Sequence, residues 1–149
     1  MNLKNIKGIS GKITKLTPIE IYDTEDIIAL RNNSEISRYL SNKKPISLED
    51  QRAWLVTQSK LDNDIYFKIT DFQNAFKGTI SIYNINNRQG EFGRFICINS
   101  LMSIEAELLL LSFAFEKLKL QKVYCKTVKK MKRFGINTLS LGSKKLAKG

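Results

Sequence analysis

A carboxylate takes a proton from an amine when burial keeps it basic, and Glu91, just after Gly90 at the start of a strand pattern, is placed for that work. The competing reading is a solvated charge at a hairpin end. Farther on, the strand–loop–helix junction from Cys97 to Ala106 can offer the unpaired N–H groups of a helix N-terminus to an anion such as a pyrophosphate. An ordinary β–α junction is the competing reading there, because the glycines that let a phosphate approach closely are absent. Arg31, Asn32 and Trp54 can line an acceptor pocket, although a tryptophan is more often core. Cys97 and Cys125 read as small buried apolar residues rather than nucleophiles, and Tyr124 as sheet packing. The chain has no histidine, which removes Ser-His-Asp and Cys-His pairs and the common His-based metal sites, so no metal is expected.

These residues sit in a chain of 149, enough for one domain with a real core. No apolar run approaches the ~20 residues of a membrane span, and the start carries no secretory apolar stretch, so a cytoplasmic protein without membrane contact is expected. The net charge of +11 is localised. Residues 1–116 hold 14 basic and 14 acidic side chains, whereas residues 117–149 hold 11 basic and none acidic. A neutral body with one basic end, without interleaved aromatics in that end, does not predict specific nucleic-acid binding.

The elements that must position the candidates follow from patterning. Ile9 to Thr17 partly alternates and predicts one strand ending at Pro18. Asp23 and Thr24 cap a helix carrying Ile27, Ile28 and Leu30 to about Arg31-Asn32. Ser34 can cap a short second helix with Ile36, Tyr39 and Leu40 inward. Ser47-Leu-Glu-Asp50 has capping-box spacing and opens a helix carrying Trp54 and Leu55 to about Lys60. Strands are expected from Asp64 to Thr70, Phe76 to Ile85 and Glu91 to Cys97, the last two joined by a hairpin loop over Asn86 to Gly90. Asn99 to Ser103 reads as a short loop with Ser103 as the N-cap. The apolar helix from there to about Leu118 is expected to be buried on most sides. Lys122 to Val128 is then a strand, parallel to its predecessor because a helix intervenes. The fold class is therefore α/β: a mixed, mostly antiparallel sheet flanked by helices. Beyond Val128 periodicity fails, which divides the chain into a core, 1–128, and a basic tail, 129–149.

Element order and several strings together resemble the GNAT-family N-acetyltransferases, over about residues 10–128. The strings are Ala29-Leu-Arg-Asn-Asn33, Ser37-Arg-Tyr-Leu40, Gln51-Arg-Ala-Trp-Leu55, Lys77-Gly-Thr-Ile-Ser-Ile-Tyr83, Glu91-Phe-Gly-Arg-Phe-Ile96, Glu105-Ala-Glu-Leu-Leu-Leu-Leu-Ser-Phe-Ala-Phe115 and Leu120-Gln-Lys-Val-Tyr124. The ribosomal-protein and aminosugar branches are the most similar, and Leu101-Met-Ser-Ile-Glu-Ala106 favours the second. The resemblance implies an acyl-CoA N-acyltransferase fold, acetyl-CoA as co-substrate, and a small-molecule or peptide amine as acceptor, on a nucleotide-linked amino sugar or a protein N-terminus. It admits a homodimer. Carried over, Phe95, Ile96 and Cys97 are the strand end that pairs with the pantetheine arm. Leu101, Met102, Ser103, Ile104 and Glu105 are the pyrophosphate loop, and Glu91 matches a position that serves as base in some members. Two departures stand out. The Arg/Gln-x-x-Gly-x-Gly/Ala loop is absent, and the tail lacks the family's Asn-led helix and Lys-x-Gly-Phe turn, so the C-terminal elements are missing or altered. With synonymous codons chosen freely, a second frame starting at the third base of the Lys129 codon permits both, which makes a frameshift the expected cause. A noncatalytic CoA- or nucleotide-binding protein of the same fold is the alternative.

Overall fold

The computed structural model describes residues 6–33, 36, 46–125 and 145–146. Seven strands form one sheet in chain order: β1 Ile9–Ser10, β2 Lys15–Pro18, β3 Ile65–Thr70, β4 Phe76–Asn86, β5 Gln89–Cys97, β6 Lys122–Tyr124 and β7 Lys145–Leu146. All neighbours are antiparallel except β5 and β6, which the long helix separates in sequence. The helices are α1 Thr24–Arg31, α2 Leu48–Ser59 and α3 Ser100–Glu116. The mixed α/β architecture is as the sequence predicts. The expected residues Ser34, Tyr39 and Leu40 of a short helix lie outside the described residues, as does the tail apart from β7; Ile36 is buried against Leu30 and Ile96.

Period-two alternation decides which face each sheet residue takes. Leu16, Phe67, Ile69, Ile80, Ile82 and Phe92 point to α3, where Met102, Ala106, Leu110, Phe113 and Ala114 form its buried side. Phe67 and Phe113 meet edge to face at 5.9 Å, an arrangement that suits the quadrupoles of both rings. The opposite face carries Tyr66, Lys68, Thr79, Ser81, Tyr83 and Glu91 beneath α1 and α2, with Ile27, Leu55 and Tyr66 as a smaller core. That polar face is where chemistry can take place. Ser47 caps α2 as its spacing predicts, its side chain accepting the Asp50 N–H at 3.1 Å.

Three expectations need correction. Ile9 to Thr17 is not one strand but a hairpin, with Ile9 opposite Leu16 and Ser10 opposite Lys15. The Gly11 N–H donates to the Thr14 carbonyl at 2.7 Å, and the Glu105 carboxylate of α3 accepts the N–H groups of Lys12 and Ile13 at 2.8 and 2.9 Å. Local alternation cannot reveal a turn that is held by a side chain 92 residues away. Second, α3 is buried on one side only, and Leu101, Ile104 and Leu108 are exposed. Third, residues 101–105 are not a loop. Asn99 is extended, and its side chain accepts the Met102 N–H at 3.0 Å, so the helix begins at Ser100 and not after Ser103.

Burial raises the Glu105 carboxyl, but the N–H groups of Ile13 and Lys12 outweigh that and hold it below its ordinary value of 4.5. A lowered folded value means the unfolded chain takes the proton first. Glu105 therefore contributes stability above about pH 4.5, and the contribution is lost as pH falls through the folded value. Glu105→Ala should cost about 1–2 kcal/mol at neutral pH in denaturant unfolding, the range for charge-assisted hydrogen bonds on a partly exposed group. The deficit should narrow in acid; an equal deficit across the range would remove the ionised latch.

Candidate active site

The site is built on irregularities in the β4–β5 ladder. Thr79 pairs with Ile96 and Ser81 with Gly93, so Ile80 faces two residues, Arg94 and Phe95. Arg94 takes the extra place with φ 49°, a β-bulge. The Thr79 hydroxyl donates to the Arg94 carbonyl at 2.8 Å, and the Ser81 hydroxyl to the Gly93 carbonyl at 2.9 Å. Phe92 and Phe95, three positions apart, would lie on opposite faces of a regular strand. Here they share the α3 face, with centroids 5.6 Å apart and planes at 87°. The bulge thereby turns Ile96 to the polar face and Cys97 to the core. A second bulge lies on β4, where Tyr83 pairs with Glu91 and Asn86 with Gln89, and Asn84 has φ 51°.

Glu91 stands between the two bulges. It is 5% exposed, which removes the solvated hairpin-end reading, and the hairpin itself turns on only Asn87 and Arg88, both at positive φ. Its carboxylate accepts the Tyr83 hydroxyl at 3.0 Å and the Asn84 amide at 3.2 Å. The phenol of Tyr83 is pushed up to about 12, by burial first and then by its bond to the Glu91 carboxylate. It therefore stays a donor at any working pH. A Cβ on Gly93 would lie 2.5 Å from the Tyr83 hydroxyl, so this glycine makes the room in which that hydroxyl sits.

Next to this pair is an aromatic cluster that sequence reasoning missed. The Arg94 guanidinium lies 4.3 Å from the Tyr83 ring, 4.8 Å from Trp54 and 5.2 Å from Tyr66. It is held by a bidentate pair with Asp64, both bonds 2.8 Å, and Asp64 also accepts from Gln58 at 3.1 Å. Trp54, 42% exposed, meets Tyr66 edge to face at 5.8 Å. Of the expected acceptor residues, Trp54 belongs to this cluster. Arg31 ends α1 and acts electrostatically on Tyr66, with its Nε buried and without a hydrogen bond. Asn32 caps the same helix at the surface. The isolated Gly93 inside a strand pattern was the available signal for the bulge, and hence for Arg94.

At the other end of the site lies the outer edge of β5. β6 pairs with β5 only through Gln89, Gly90 and Glu91, so β5 has no parallel partner among the described residues from Phe92 onward. The Ile98 N–H donates to the Lys77 carbonyl at 2.9 Å, and ladder alternation then commits Ile96 to Thr79 and turns the Cys97 backbone outward. The same alternation turns Phe95 outward. Gly78, across from Cys97, permits the close approach of the strands: a Cβ there would lie 2.0 Å from the Ile96 carbonyl oxygen. Burial pushes the Cys97 thiol up, in keeping with a packing residue.

The edge leads into the start of α3. Met102 gives its N–H to the Asn99 side chain and Ser103 gives its own to the Asn99 carbonyl, leaving Ser100 and Leu101 without partners inside the helix. Of the expected pyrophosphate residues, Leu101 thus offers a backbone donor. The Met102 side chain is core, the Ser103 hydroxyl donates to the Ser100 carbonyl, Ile104 is exposed, and Glu105 holds the β1–β2 turn. Two N–H groups, a positive helix end and an unpaired strand edge fit a diphosphate joined to an amide-bearing arm. No helix among the described residues is long and apolar enough to cross a membrane.

Comparisons with known proteins agree with this geometry. No curated protein sequence matches the chain. A GCN5-related N-acetyltransferase from Brucella melitensis shares the fold with a TM-score of 0.66 at 20% identity, over 78% of this chain and 58% of that one. The spermidine N-acetyltransferase SpeG of Vibrio cholerae, solved with CoA and spermine, gives 0.70 at 20% identity over 84% and 78%. Apo FdhC, a nucleotide-linked sugar GNAT, gives 0.68 at 23% identity over 89% and 79%. At these identities the likeness is one of fold. A sequence profile for the acetyltransferase (GNAT) domain matches residues 14–133, and on that match, spanning most of the sequence, the chain belongs to the GNAT acetyltransferase family.

Proposed function

We propose that this chain carries an acetyl-CoA-dependent N-acetyltransferase site acting on a primary amine, most similar to those for nucleotide-linked amino sugars or protein N-termini. The observation that carries this reading is the bulged, one-sided β5 edge running from Glu91 into the α3 N-terminus. Acetyl-CoA supplies the thioester that the amine attacks. The outward backbone groups of Phe95 and Cys97, on either side of Ile96, pair with the pantetheine arm, and the Ser100 and Leu101 N–H groups face the pyrophosphate. Phe95 has the outward N–H nearer Glu91 and stabilises the oxyanion. Glu91 takes the ammonium proton, so that the nitrogen lone pair is free for attack. With the Arg94 bulge between them, Glu91 and Phe95 are three ladder positions apart, about 10 Å, so the proton reaches Glu91 through bridging water. The amine–carbonyl bond forms, the carbon–sulfur bond breaks, the thiolate leaves with the electron pair, and the second proton, shed by the acylated nitrogen, passes through water to the thiolate, giving the amide and CoA thiol.

The acceptor follows from the aromatic face. Trp54, 42% exposed beside the Arg94 guanidinium, suits a sugar or base ring. The nucleotide-sugar GNAT among the similar folds supports this choice. A panel of a UDP-linked amino sugar, a peptide N-terminus and spermidine, with free CoA release read by mass, tests it. Acetyl-CoA binding without turnover of any amine would replace it with the noncatalytic CoA-binding reading.

Three outcomes are expected. Ser100→Pro removes one free N–H and leaves the helix intact, because Asn99 already has the extended backbone that precedes proline. Acetyl-CoA affinity in calorimetry should fall about fivefold, the value of one net hydrogen bond, with no change in melting temperature. Ser103→Trp should block the approach more fully, since helix side chains lean toward the N-terminus. Unchanged affinity in both would move the cofactor elsewhere.

Glu91→Gln should lower kcat by about 10²-fold or more with acetyl-CoA affinity nearly unchanged. Wild-type rates in the variant would take Glu91 out of the mechanism.

Residues from 129 onward are read out of the family's frame, a reading supported by the profile match ending at residue 133. Gene sequence past the Val128 codon should be compatible with the second frame, the out-of-frame product should be inactive and poorly stable, and the frame-restored protein, the form in which the affinity and kcat changes are read, should bind acetyl-CoA and melt at higher temperature. Codons that forbid the second frame would end the idea.

A further inference from the structure

We propose that Tyr83 is the positioning residue for Glu91, with its ring clamped by the Arg94–Asp64 pair, so that base and acceptor-side cluster form one unit. As a statement about catalysis it rests on the N-acetyltransferase reading above; the coupling itself does not.

The geometry is specific. Glu91 is the residue directly opposite Tyr83 across the ladder, and the hydroxyl–carboxylate distance is 3.0 Å. A carboxylate on a strand has two free torsions beyond Cβ to settle, and two donors fix them: Tyr83 on one oxygen and Asn84 on the other. Asn84 is exposed and comes from a bulge, whereas Tyr83 is held on three sides. Gly93 leaves space under its hydroxyl, Arg94 covers its ring at 4.3 Å, and Asp64 grips Arg94 with two 2.8 Å bonds. Arg94 is itself the bulge residue, so the irregularity that opens the strand edge also fixes the tyrosine that aims the base.

The charged groups facing the Tyr83 phenol are Glu91 and Arg94 from β5 and Asp64 ahead of β3. Glu91 and Asp64 oppose its ionisation, and Arg94 favours it. Replacing Glu91 by Gln removes the larger opposing charge and lowers the phenol from about 12. An isolated buried phenol would not respond to that substitution.

Two measurements test the proposal, each able to overturn it. In the first, tyrosines labelled with 13C at Cζ are titrated to pH 11, with Tyr83 assigned by Tyr83→Phe. In wild type Tyr83 should remain largely un-ionised up to pH 11, and in Glu91→Gln it should ionise well before pH 11. An identical Tyr83 curve in both overturns the coupling, whether or not the chain is active. The second is a kinetic double-mutant cycle with the best amine of the panel. Tyr83→Phe should lower kcat about tenfold and leave KM for acetyl-CoA unchanged, while Tyr83→Phe with Glu91→Gln should be no slower than Glu91→Gln alone. Multiplicative losses would mean that Tyr83 does not act through Glu91. Gly93→Ala, which displaces the hydroxyl and leaves every functional group in place, should reproduce the kcat loss at an unchanged melting temperature; wild-type kcat in it overturns the proposal. Absence of turnover on every amine would count against the transferase reading, and the titration would still decide the pairing.

Discussion

A single inserted residue in β5 is the constraint on which the site depends. A regular antiparallel β4–β5 ladder would place Phe95 on the polar face. The extra residue, Arg94, returns Phe95 to the α3 core beside Phe92 and turns Ile96 toward α1, and among the described residues the outer edge of β5 has no partner strand from Phe92 onward. The cost of positive φ at an arginine, and of carbonyls taken out of the ladder, is offset locally. Thr79 and Ser81 hydroxyls satisfy those carbonyls, and Asp64 with three rings holds the side chain. Strand edges are ordinarily a liability. Here the exposed segment is short, and an elongated amide-bearing ligand is its natural partner.

The start of α3 completes the same logic. By spending its side chain on Met102, Asn99 begins the helix immediately after the strand, so the positive helix end lies within two residues of the free edge. Had Ser103 been the cap, one more turn of irregular chain would separate the two, and no single extended ligand would pair with the strand while its phosphates met the helix.

What could be read in the sequence was what periodicity encodes. The strands Ile65–Thr70, Phe76–Asn86 and Gln89–Cys97 are readable from their apolar and β-branched runs, Ser47 caps α2, and an intervening helix makes β5 and β6 parallel. Patterning also puts Glu91 and Phe95 to Cys97 on one strand, β5. Features made between distant residues were not legible. A bulge is defined against its partner strand, so Gly93-Arg94 carries only a weak local mark. The Arg94 cluster collects Trp54, Asp64, Tyr66 and Tyr83 from three elements, and none of these announces the others. The exposed apolar residues of α3 misled for the same reason: composition says that a helix is apolar, and only packing says which side is covered.

The latch at the N-terminal hairpin also bears on the electrostatics of the far end of the molecule. Glu105 lies about one turn inside the helix whose first N–H groups face the candidate phosphate position. A free carboxylate there would oppose any anion arriving at Ser100 and Leu101. Two backbone donors from Lys12 and Ile13 now occupy it. The β1–β2 hairpin therefore acts as an electrostatic screen. Deleting it would expose a negative charge beside the helix start and weaken anion capture at a site that the hairpin never touches.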